Sequence, residues 1–201
     1  MARTPVSEEL KKAISRLPSK EKDKYLFRLI AKDPILLEQL EFQLLDERST
    51  VEERRENLQK KLEKAIKHVA SGRGRIRALI SEVRSQSAGI TRHLRVTGDK
   101  YGEIELNLIL IREALAGVTG HYLRSNPRDQ IKLYEYLITR LFKLSNLIEK
   151  IHMDYRLDFA EKLQEIGGLI GSIDLMMHTC IMNGMDVNVL LQGDFPIRIT
   201  D

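Results

Sequence analysis

Apolar residues return every third or fourth position along most of the chain from Leu58 to Met182, and no stretch alternates polar with apolar for long. That repeat lays one side of a helix against a core and leaves no room for a sheet-based fold. Leu133, Leu137, Leu141, Leu144, Ile148, Ile151 and Tyr155 form the longest run, and none of the five prolines interrupts such a seam. The spacing predicts an all-α protein, an antiparallel bundle of four to five long helices preceded by three short ones.

The punctuation between seams sets the boundaries. Thr4-Pro5, Asp33-Pro34 and Asn126-Pro127 each place a capping side chain before a proline suited to the first helical position. Pro18-Ser19 restarts the chain between the first two short helices, whose inward residues are Leu10, Ile14 and Leu17, then Tyr25, Leu26, Leu29 and Ile30. Thr50-Val51-Glu52-Glu53 is a capping box, in which each end satisfies an amide of the other. Ser71-Gly72-Arg73-Gly74 separates a helix seamed by Leu58, Leu62, Ile66 and Val69 from one seamed by Ile76, Leu79, Ile80, Val83, Ile90 and Leu94, ending near Gly98. Further helices are predicted over 101–123, 127–155 and 157–182, the last closed by Asn183-Gly184. The chain is thus expected to divide into a short-helix segment, 1–49, a long-helix bundle, 50–184, and an extended tail, 185–201.

Cys180 is the lone cysteine, so no disulfide can form within the chain, and a small buried hydrophobe is its expected role. The most apolar stretch, 166–182, is too short to span a bilayer and carries Asp174 and His178. The opening MARTPVSEEL holds no apolar core of a signal peptide, and a cytoplasmic protein without a membrane partner is expected. Phosphate-cradling loops, dinucleotide fingerprints, HExxH and CxxC are all missing from the sequence. A non-catalytic protein without a cofactor is the expectation.

Three arrangements bear on metal chemistry. Glu149 and His152 form one ExxH, and Asp174 with His178 sits one turn apart. A di-iron bundle needs two ExxH pairs and two further Glu, so these four residues fall short and no metal is expected. Glu52, Glu53 and Glu56 resemble the first half of the metal motif of all-α nucleotide pyrophosphohydrolases. The second half is missing, because Glu82 is followed by Ser85 where an Asp belongs. The capping box already accounts for Glu53. The three short helices with Pro-marked turns resemble an α-solenoid unit, but no fixed period follows. Met176, Met177, Met182 and Met185 read as gap-filling core.

Charge is the feature above background. Residues 1–100 carry +8 and residues 101–201 carry −4. Within 54–95, twelve Lys and Arg meet only Glu56, Glu63 and Glu82, a net of +9. Lys60, Lys64, Lys67, Arg73, Arg75, Arg77 and Arg84 are the candidate anion-binding residues, with Arg73, Arg75 and Arg77 clustered at a glycine turn. These residues lead to a self-associating helical interaction protein, a homo-oligomer or one with an acidic protein partner, that uses a basic helix-turn-helix surface. Nucleic-acid binding through the same surface is the alternative, although 54–95 has no Phe, Tyr or Trp to stack on bases. A metal-dependent enzyme with a carboxylate and His site is the third reading. Finally, Gly117 and Gly120 on one helix and Gly167, Gly168 and Gly171 on another are expected to mark a close helix crossing.

Overall fold

Thr50 and Glu53 close the predicted capping box: the Glu53 amide donates to Thr50 Oγ1 at 3.1 Å, and the Thr50 amide donates to Glu53 Oε2 at 2.9 Å. It opens α4 (Val51–Ser71), the first of four long helices, with α5 (Ile76–Thr97), α6 (Lys100–Gly117) and α7 (Pro127–Ile148) following. Three short helices precede them: α1 (Glu8–Ser15), α2 (Ser19–Ile30) and α3 (Pro34–Leu44). The computed structural model describes residues 5–45, 50–71, 75–119 and 126–198. The chain divides into two compact units, Met1–Glu47 and Arg48–Asp201.

In the first unit the Asp33 cap acts as predicted, its Oδ1 accepting from the Ile35 and Leu36 amides at 3.0 and 3.2 Å. The first helix opens later than predicted, at Glu8, because Ser7 Oγ accepts the Leu10 amide and supplies the cap. Thr4 lies outside the described residues. Lys22 Nζ donates to the Ser15 carbonyl at 2.8 Å and ties α2 to the end of α1.

The second unit is an all-α bundle built on α6. Apolar residues lie on every side of this helix (Ile104, Leu106, Leu108, Ile109, Leu110, Ile111, Ala114 and Leu115), and all are buried. A helix that is apolar all round belongs in the middle, and α6 packs against α4, α5, α7 and α8 (Ala160–Gly171). Gly98, at φ +76°, ends α5 in the left-handed conformation that glycine adopts without steric cost. Asn126 Oδ1 accepts the Arg128 amide at 3.0 Å and caps α7.

Two stretches depart from the sequence reading. First, α7 stops at Ile148, and a 3₁₀ segment, Met153–Phe159, leads into α8. The predicted last helix is then two, α8 and α9 (Asp174–Met182). Ser172 turns the chain, its hydroxyl donating to the Leu169 carbonyl at 2.7 Å, so that the β-branched Ile173 can enter the core. Second, the residues expected to be an extended tail carry α10 (Val187–Leu191), capped by Asp186 and packed on α8. Burial of Met185, Val187, Leu190 and Phe195 holds it there, and Ser145 Oγ donates to the Pro196 carbonyl at 2.6 Å. Gly184, at φ +70°, ends α9 as predicted.

The glycines do not mark the expected crossing. A Cβ on Gly117 would sit 2.9 Å from Ala70 Cβ, so Gly117 serves the α6–α4 contact. Gly167 faces α10, while Gly168 and Gly171 face open space. Gly120 lies outside the described residues. Helices α6 and α8 do pack together, partly through Lys162 and Glu105 at 3.1 Å. Cys180 is free and buried, and burial pushes its thiol up to about 12. Met176 and Met185 are core, whereas Met182 is exposed.

Candidate interaction surface

The helical repeat of α4 turns Leu62 and Ile66 into the core and leaves the opposite side to solvent. On that outer side Lys60, Glu63, Lys64, Lys67, His68 and Ser71 line an open groove of about 590 Å³. Lys60 lies 3.6 Å from Glu56, and Lys67 lies 3.8 Å from Glu63 and 3.7 Å from Glu113 of α6. Lys60–Glu56 is a long, exposed pair of the kind that contributes little and exchanges readily for another anion, whereas Lys67, itself exposed, reaches the buried Glu113. Lys64 is exposed and joins no ion pair among the described residues.

The arginines of the candidate set behave differently from the lysines. Arg73 lies outside the described residues. Arg75 is exposed at the N-cap of α5. Arg77, itself exposed, is paired: its Nε donates to Asp129 Oδ2 of α7 at 2.7 Å, and that bond lowers the Asp129 carboxyl below its usual range. Arg84 holds its guanidinium over the Tyr136 ring, 5.7 Å from the centroid. So of the two described arginines beside the glycine turn, Arg75 is open and Arg77 is paired, and further open positive charge runs along α4.

Polar and charged groups from distant parts of the chain meet inside the bundle. Arg55 of α4 holds Asp99 through two hydrogen bonds, Nε–Oδ2 at 2.7 Å and Nη2–Oδ1 at 3.1 Å, and lies 3.5 Å from Glu105. His93 Nε2 is 3.2 Å from the same carboxylate, which also accepts the Gly102 amide at 2.8 Å as the cap of α6. Burial pushes the Asp99 carboxyl up, but the bonds from His93, Arg55 and the Gly102 amide outweigh it and hold it at about 2. A second set crosses α5, α6 and α7: Arg140 donates to Asn107, Ser87 and the Tyr136 hydroxyl. Neither set was legible from spacing, because its members lie far apart in the chain.

The carboxylate and His candidates do not converge. Glu149 is the C-cap of α7 and exposed, and His152 lies past the helix end, 72% exposed and 3.2 Å from Asp154. The ExxH pair therefore does not occupy a helix face. Asp174 and His178 are exposed on α9. Among the described residues no group of three or more His, Cys, Asp or Glu could hold a metal ion. No described helix is long and apolar enough to cross a membrane. No protein-family model, curated protein or solved structure matches this chain.

Proposed function

We propose that this chain is a non-catalytic helical interaction protein whose outer α4 face, with Arg75 beyond its end, receives an acidic partner. The observation that carries the reading is the run Lys60, Lys64 and Lys67 around one open groove, with Lys64 outside every ion pair among the described residues. Lysine supplies compact, mobile point charges, suited to steering and holding carboxylates through summed field rather than fixed geometry. Three arginines that could fork onto a phosphate are engaged elsewhere: Arg55 on Asp99, Arg77 on Asp129 and Arg84 over Tyr136. This favours an acidic protein over a nucleic acid.

Retention of the full chain on immobilised poly-glutamate and on duplex DNA tests it. Firmer retention on poly-glutamate at low salt, released as salt rises, is the expected result. Firmer retention on DNA would transfer the surface to nucleic acid, and no retention on either would remove the reading.

A further inference from the structure

The basic face of α4 has an acidic counterpart in the same chain. Lys60, Lys64 and Lys67 are exposed at positions i, i+4 and i+7, so they form one stripe along α4. Asp158, Glu161 and Glu165 are exposed at i, i+3 and i+7, where the 3₁₀ segment runs into α8. In reverse order the acidic stripe has the spacing of the basic one. Neighbouring charges of the wrong sign are met within the chain or fall off the stripes. Glu63 is shared by Lys67 and Arg112, each at 3.8 Å, and Lys162 holds Glu105 at 3.1 Å. Arg156 is aligned with Phe159 rather than with Asp158, because three residues make one 3₁₀ turn. Lys64 and Glu161 join no ion pair among the described residues.

Both stripes lie beside the central helix. Glu105 of α6 is 3.5 Å from Arg55 of α4 and 3.1 Å from Lys162 of α8. Further along, Arg112 of α6 is 3.8 Å from Glu63 of α4 and 3.5 Å from Glu165 of α8. Helices α4 and α8 thus flank one edge of α6 and run in the same direction. A two-fold axis through that edge lays the α4 of one copy antiparallel to the α8 of another. The reversed order then sets Lys60 against Glu165, Lys64 against Glu161 and Lys67 against Asp158. The same axis makes both contacts at once, which is what a closed pair requires.

We infer that the acidic partner of the α4 face is a second copy of this chain, each copy laying its α4 stripe on the α8 stripe of the other. The inference rests on the acidic-partner reading above and names the partner.

Sedimentation equilibrium of the full chain across a salt series tests the pairing. At ~0.05 M salt the expected mass is twice 23.2 kDa, falling toward that of one chain by ~0.5 M as the charges are screened. Lys60→Glu/Lys64→Glu and Glu161→Lys/Glu165→Lys each set like charges against like. Each variant alone should associate at least about tenfold more weakly than the wild type. All four positions are exposed, so melting points should stay close to wild type. An equimolar mixture of the two variants should pair again, because the reversed α4 of one then meets the reversed α8 of the other, and the two native stripes meet as well. A wild type that is monomeric at low salt overturns the inference; if that monomer still holds poly-glutamate, the acidic-partner reading stands without it. Undiminished pairing by either variant, or a mixture no stronger than the variants alone, overturns it too.

Discussion

Arg55 grips Asp99 across 44 positions of sequence, and the gripped carboxylate is also the cap of α6. One side chain thereby ties α4, the end of α5 and the start of the central helix together. Removing one partner of a buried pair leaves the other charge uncompensated. Arg55→Met should lower unfolding free energy by about 3 kcal/mol, measured by urea denaturation, and more than any substitution on the outer α4 face.

The same carboxylate sets an acid limit. Asp99 has its folded pKa depressed to about 2 from an ordinary 3.8, so its contribution is fully present above about pH 4. That contribution, about 2 kcal/mol, is lost as pH falls from about 4 to 2. Melting curves between pH 5 and 2, all in ~0.1 M salt, should show this loss in the wild type and a shallower slope in Asp99→Asn.

Gly102 tests whether the cap and the ion pair are one device. A Cβ there would lie 2.0 Å from Asp99 Oδ2 and 2.7 Å from Arg55 Nε. On helix propensity alone, Gly→Ala should stabilise by about 1 kcal/mol. Displacement of the carboxylate reverses the sign, and Gly102→Ala should destabilise by about 2 kcal/mol. A raised melting point would contradict the arrangement.

The local signals in the sequence read true, as did the helical periodicity behind the bundle, whereas readings that depended on which distant side chains meet did not. Thr50 with Glu53, Asp33 before Pro34, Asn126 before Pro127, and Gly98 and Gly184 at helix ends all act on amides or backbone within a few positions. The break at Ser172 and the helix Val187–Leu191 depend on which side chains find cover, and that is decided by the surface of α8. Charge counting placed a basic surface on α4 and α5 and left open whether the acidic C-terminal half would neutralise it; Arg77 is taken by Asp129 of that half, 52 positions away.

That pairing makes its own prediction. Arg77→Ala should lower thermal stability slightly, since Asp129 loses its bond, while leaving the affinity for poly-glutamate within about twofold of wild type. A large loss of affinity would restore Arg77 to the anion surface.

Two of the three glycines of α8, Gly167 and Gly171, should separate cleanly. A Cβ at Gly167 would lie 3.0 Å from Leu191 Cδ2 and 3.1 Å from its backbone nitrogen, whereas Gly171 faces open space. Gly167→Val should overpack the α8–α10 contact and cost about 1–3 kcal/mol, while Gly171→Leu should change the melting point little. Equal effects would show that α10 does not lie against Gly167.

The claim that the outer α4 face receives an acidic partner is tested most directly by titrating labelled poly-glutamate with the full chain at several ionic strengths, followed by fluorescence anisotropy. The wild type should bind at low salt and weaken steeply as salt rises, and Lys60→Glu/Lys64→Glu, two exposed positions on that face, should bind at least about tenfold more weakly with its melting point unchanged. No binding by the wild type at low salt, or equal binding by the double variant, would contradict it.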